Sequence, residues 1–197
     1  SVAAKVLNKA FNDKFPNYPA FTDLQFPLAK DNFSGSITAA LRKITNPLQP
    51  NRNGEALLSG MGLWSGQTIV TDNRKYAESI KKKLKEAGEG AVVNRSDIIW
   101  AHYAPANLWY SVDYNIDFQL EFIVLTALAY KGDIEISWSG SKSISATNIE
   151  TALTLSEEDY FTFQHIKQPH GIPIKYLKAL FSCLTLPDYT SELEKPE

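Results

Sequence analysis

A mainly helical chain with a small β component, an α+β fold, is what the sequence predicts, on three observations. Apolar residues recur every three or four positions through "NRKYAESIKKKLKEAG"; "IDFQLEFIVLTALAYKG" is apolar nearly all the way round; and Ile134, Ile136 and Trp138 then alternate with Glu135, Ser137 and Ser139 as a strand does. With the pieces between them these give helix, strand, helix, helix, strand, wing and strand, a winged-helix-like module with flanking helices. The expected divisions are a helical and extended annex over 1–66, a winged-helix-like core over 67–150, C-terminal helices packed on it over 151–187, and a flexible tail over 188–197.

Taken in order, Val2 to Asp13 has a helical pattern, and Pro16 and Pro19 then force an extended path on which Phe15, Tyr18, Phe21 and Phe26 serve as anchors in a groove of the main body. A second helix begins at Ser34 or Ser36, carries Ile37, Ala40, Leu41 and Ile44 on one face, and ends at Asn46-Pro47. "EALLSGMGLW" adds a turn or two of helix before Gly62 breaks the pattern. Asp72 is the expected N-cap of the helix bearing Tyr76, Ile80, Leu84 and Ala87, which Gly88 stops.

"GAVVNR" reads as a short strand, and "SDIIWAHYA" as a helix capped by Ser96 and packed through Ile98, Ile99 and Ala101. After the polar-aromatic loop "PANLWYSVDYN" and the most apolar helix, the ribbon turns at "SGSK" and returns through Ser143 to Ala146. "SEED" loads acid into the first turn of a helix, and a last helix is expected from Ile174 to Leu184, with Leu177, Leu180, Phe181 and Leu184 on one face and Pro187 as its stop.

The composition, 44% hydrophobic and 21% charged over 197 residues, is that of an ordinary domain able to bury a core. One cysteine, Cys183, excludes an intrachain disulfide; it sits in the apolar pattern "YLKALFSCLTL" as a buried thiol, and a reducing compartment, the cytoplasm, is expected. No apolar run approaches the ~20 residues of a membrane span. The chain opens on Ser1 and is already helical in pattern by Val6, which reads as a piece of something longer.

A net charge of −2 leaves any nucleic-acid contact to a local patch. The helix in the recognition position begins with Asp117 and Glu121 and has no Lys or Arg before Lys131, so it would repel phosphate and reads as core. Candidate nucleic-acid contacts are Lys81, Lys82, Lys83 and Lys85 on the basic helix, Arg95, and Lys142 on the wing; the plainer reading of the lysines is a solvated helix face. Trp109 and Tyr110 are the candidate protein-partner contacts, or else caps on the core from a long loop.

Enzymatic motifs are absent: the sequence has no phosphate-binding loop of the form G-x-x-x-x-G-K-[ST], no G-x-G-x-x-G, no G-x-S-x-G and no H-E-x-x-H. His165 and His170 are five apart across a proline, with no matching second pair of ligands, and His102 stands alone; Glu157, Glu158 and Asp159 have a sufficient role in a helix's first turn. A hydrolase around these histidines and acids is the remotest of three readings, and no cofactor or metal is expected.

Five phrases, "KFPNYPAF", "GAVVNRSDII", "FIVLTALAYKGDIEIS", "YFTFQHIKQPHGIP" and "IKYLKALFSCLTLPDY", resemble a segment of the PglY-like large P-loop ATP-binding proteins of BREX-type bacterial phage-resistance systems. The resemblance implies a fragment downstream of an ATPase core, working with other domains of its parent and other defence proteins. It implies no active residue here, because the family's nucleotide-binding motifs have no counterpart in these positions. The expected function is a non-catalytic interaction or scaffolding domain, with DNA binding through the basic helix over 74–87 and the wing as the alternative.

Overall fold

The structure, a computed structural model, describes residues 2–19, 21, 28–102, 108–169, 179 and 182–184. Within them run α1 (Val2–Lys14), α2 (Phe33–Thr45), α3 (Arg52–Gly60), β1 (Trp64–Ser65), β2 (Thr68–Ile69), α4 (Lys75–Ala87), β3 (Val92–Asn94), β4 (Ile99–His102), β5 (Leu108–Ser111), α5 (Phe118–Lys131), β6 (Glu135–Ser137), β7 (Ser143–Ile144), α6 (Asp159–Thr162) and β8 (His165–Lys167). The fold is mixed α+β. Among the described residues no helix is long and apolar enough to cross a membrane.

Every residue of α5 from Gln119 to Ala129 is buried, because α2, α4, α6 and β6 pack around it. An all-round apolar sequence has no solvent face to offer, so enclosure is its stable setting. The Asp117 carboxylate accepts from the Gln119 N–H at 2.8 Å to cap its start, and Gly132 at φ 81 closes its end.

Helices α2 and α3 meet closely at Gly54, where a Cβ would overlap the carbonyl of Ala39 and come within 2.9 Å of the Lys43 Cβ. Asn51 fastens the junction, accepting from the Gly54 N–H and donating to the Ala39 carbonyl, each at 3.0 Å. Lys43, although buried, is satisfied by Glu55 at 2.6 Å, the Gln49 carbonyl at 2.9 Å and the face of Trp64.

Four short strands form an antiparallel sheet in the order β3-β8-β6-β7, with Ile166 facing Val93 on one side and Ile136 on the other. A three-stranded winged-helix sheet would set the first strand beside the ribbon; here β8 lies between them. β8 is a strand within 151–187, where C-terminal helices were expected: α6 is one turn long and is followed by Phe163, whose φ −58 and ψ 152 send the chain into extended backbone. The buried pair Phe163 and Ile166 then reaches the core from a strand.

The second helix of the expected order is also corrected. Residues Arg95–Asp97 form a single 3₁₀ turn, and Ile99 to His102 is a strand paired with β5. Ile98 and Ile99 are both buried, and β-branched neighbours suit a pleated strand better than a helix.

Two smaller expectations change. Asp72 does not cap α4; its carboxylate pairs with Lys81 at 2.6 Å, and the Glu78 carboxylate takes the Asn73 N–H at 3.1 Å. Cys183 is exposed, not buried. Of the aromatic anchors, Tyr18 and Phe21 pack against the core while Phe15 contacts Phe11; Phe26, the tail over 188–197, and the expected last helix, apart from 179 and 182–184, lie outside the described residues.

Candidate interaction surface

Most of the cations that could meet phosphate are already engaged within the protein. Lys81 pairs with Asp72 at 2.6 Å and Asp133 at 3.3 Å; burial works against its ammonium, but the two carboxylates outweigh that and raise its pKa. Lys83 meets Asp113 at 2.9 Å and Lys82 meets Glu86 at 3.7 Å. Lys142 in the β6–β7 turn meets Asp159 at 2.6 Å and lies over Trp138. Arg95 donates to the Phe161 carbonyl at 3.1 Å and covers the ring of Trp109. Lys85 is exposed, with no ion pair among the described residues. A phosphate would have to displace an existing carboxylate at most of these positions.

The hairpin β4–β5 sorts the aromatic candidates by face. Its register sets Ile99 opposite Ser111, Trp100 opposite Tyr110 and Ala101 opposite Trp109, and opposed residues share a face while neighbours alternate. Ile99 and Ser111 are buried, so their face points inward. Trp109 shares it, stacked on Phe161 with centroids 5.3 Å apart and planes at 18°. Tyr110 falls on the other face beside Trp100, which is 37% exposed, and Val112, which is 40% exposed. Both aromatic candidates are half-buried; Trp109 packs on the core and Tyr110 lies on the hairpin's opposite face.

Trp100 escaped the sequence reading because a helix was expected there, and so short a run carried no signal of its own against one. Exposed aromatic and aliphatic side chains on a two-stranded ribbon supply the rigid apolar contact area that protein interfaces use.

Beside this hairpin the start of α5 gathers acids. Burial pushes the Asp117 carboxyl up to about 6, the cap bond from Gln119 opposes this, and the nearby Glu157 adds to it. One turn on, Glu121 is fully enclosed; burial raises it to about 8, with Asp113 adding and Lys83 opposing. Its Oε2 is buried with no hydrogen-bond partner. Glu121 thus keeps its proton at neutral pH and repels nothing outside; burial of α5, not its charge, removes it from the surface. An isolated acid in "FQLEFIVL" was the signal for this.

The histidines do not assemble. His165 lies mid-sheet between Asn94 and Ser137, His102 ends β4, and His170 lies outside the described residues. Among the described residues no group of three or more His, Cys, Asp or Glu is placed to hold a metal ion.

Residues 33–168 match the sequence model of a family described as "Family of unknown function (DUF6079) 4th domain". No curated protein and no solved structure matches the chain.

Proposed function

The chain belongs to the DUF6079 family of unknown function, as its fourth domain, and from that premise we propose that it is a non-catalytic interaction domain of a larger multidomain protein. The observation that supports this best is the outward face of the β4–β5 hairpin, where the exposed Trp100 and Val112 flank the half-buried Tyr110. The partners in this reading are other domains of the parent and other proteins of its system. The parent is a PglY-like ATPase of BREX-type phage resistance, its phosphate-binding loop lies outside this chain, and the setting is cytoplasmic; the sequence resemblance supports these finer points. The domain itself uses no cofactor.

DNA binding through Lys81, Lys82, Lys83, Lys85, Arg95 and Lys142 is the rival, and their carboxylate and ring partners weigh against it. The test captures the remaining domains of the parent protein on the immobilised chain. Trp100→Ser with Tyr110→Ser should abolish capture, and anisotropy titrations with labelled duplex and single-stranded DNA at low salt should show no binding. Capture unchanged by the double substitution, or micromolar DNA binding with a steep salt slope, would overturn the reading.

A further inference from the structure

Helix α1 carries an apolar stripe that the rest of the described chain leaves uncovered. Val2, Val6 and Ala10 make one row of it and Ala3, Leu7 and Phe11 the adjoining row, each spaced by four. Every described side chain from Val2 to Lys14 is exposed, Val6 by 61% and Leu7 by 69%. We propose that this stripe docks into an apolar, acid-rimmed groove of the domain that precedes this one in the parent protein. The inference rests on the interaction-domain reading and names a second surface together with the chemistry of its partner.

Position in the chain selects the neighbouring domain. The family match begins at residue 33, so α1 lies outside the fourth domain proper. It is nevertheless fastened to it: the Asn17 carbonyl accepts from the Tyr76 hydroxyl at 2.6 Å and from Lys75 Nζ at 2.8 Å, which holds the exit of α1 against α4. Phe11 meets Phe15 and Tyr18 at the same end, with ring centroids 5.0 and 5.2 Å apart. A helix anchored at its exit and bare along its stripe is placed to join two domains that follow one another.

Charge and area point the same way. Lys5 and Lys9 stand one turn apart along the edge of the stripe beside Val2 and Val6, and α1 sets three lysines against one acid, Asp13. Acids on the rim of a groove would meet them, whereas two copies joined through α1 would set lysine against lysine. One face of a 13-residue helix, ~20 Å long, also offers far less than the ~800 Å² per partner of a stable dimer. A domain in the same polypeptide needs no such area, because the tether supplies a high effective concentration. A lipid surface suits the stripe less: Ala3, Ala10 and the two valines lack the bulk that interfacial helices bury.

The test compares amide hydrogen exchange over residues 2–14 in the 197-residue chain and in a longer chain that adds the preceding domain of the parent. Slowing of ~tenfold or more is expected in the longer chain. Val6→Gln with Leu7→Gln keeps helix propensity; it should remove the slowing there and leave exchange in the 197-residue chain unchanged. Lys5→Gln with Lys9→Gln should lose part of it. No slowing in the longer chain, or slowing untouched by either pair of substitutions, overturns the inference. So does a dimer of the 197-residue chain in sedimentation that Val6→Gln with Leu7→Gln dissolves, which gives the stripe to a second copy, or flotation of that chain with phosphatidylglycerol vesicles, which gives it to a lipid surface. Untethered, so small a contact is too weak for capture, which keeps the hairpin test independent. If α1 gains no protection while the hairpin substitutions abolish capture, only the helix assignment falls; if α1 is protected while capture survives them, only the hairpin surface falls.

Discussion

Lys142 Nζ lies 2.6 Å from Asp159 Oδ1, an ion pair that ties the β6–β7 turn to the first turn of α6. The indole N–H of Trp138 donates to the Asp159 carbonyl at 2.9 Å and fastens the same junction from the other side. Asp159 is tugged two ways: burial raises its pKa, but the bonds from Lys142 and Ser156 outweigh this and hold it below the ordinary carboxylate range. The β6–β7 turn is thereby closed onto its own domain.

Replacing Lys142 with Met should therefore cost little stability, ~0.2–1 kcal/mol for a half-exposed pair, while leaving the β6–β7 turn looser. Urea melts measure the first effect, and amide hydrogen exchange at Ser143 and Ile144 the second. A folded Asp159 with a depressed pKa adds stability above its unfolded pKa that is lost as pH falls through the folded value, so the variant should differ most from the parent at neutral pH and least in acid. An unchanged exchange rate would show that the Trp138 bond alone holds the β6–β7 turn.

Glu121 has the opposite sign. Its folded pKa of about 8 against an ordinary value of 4.5 means that the native state keeps a proton which the unfolded chain releases. The contribution of Glu121 to stability should then be full below about 4.5 and fall as pH rises towards about 8. Asp113 and Lys83 face it from neighbouring elements, and Tyr76 and Tyr114 also lie within its field. Glu121→Gln keeps the shape and removes the titration, so its urea midpoint should be higher at pH ~8 and flatter across this window. Parallel profiles for the two proteins would sink the assignment.

At Gly54 two effects compete. Alanine is favoured over glycine inside a helix by ~1 kcal/mol, but the new methyl would overlap the Ala39 carbonyl, a backbone atom that cannot swing aside. The clash should win, and Gly54→Ala should lose ~1–3 kcal/mol through separation of α2 from α3. A gain in thermal midpoint would show that the two helices part without cost.

Much of this architecture is legible in the sequence where the signal is local. Ile37, Ala40, Leu41 and Ile44 in α2 and Tyr76, Ile80 and Leu84 in α4 are buried, following their helical spacing. β8 is not legible, because three residues carry no period of their own and the strands that pair with them, β3 and β6, lie well upstream. "SDIIWAHYA" fits both periods over so short a run; only its pairing with Leu108–Ser111 decides for a strand. The same pairing register separates Trp109 from Tyr110, so two adjacent aromatics that composition treats alike acquire different roles.

That separation yields the sharpest prediction about the surface. Trp109 stacks on Phe161 and meets the Arg95 guanidinium, and Phe161 in turn meets Phe118 edge-on at the start of α5. Trp109→Ala should therefore lower the urea midpoint, by ~2–3 kcal/mol, somewhat less than a fully buried aromatic would cost. Trp100→Ser with Tyr110→Ser removes outward rings and should stay within ~1 kcal/mol of the parent. If the outward pair proved as costly as Trp109, those rings would belong to the core, and loss of partner capture in the double variant would report unfolding in place of a lost contact surface.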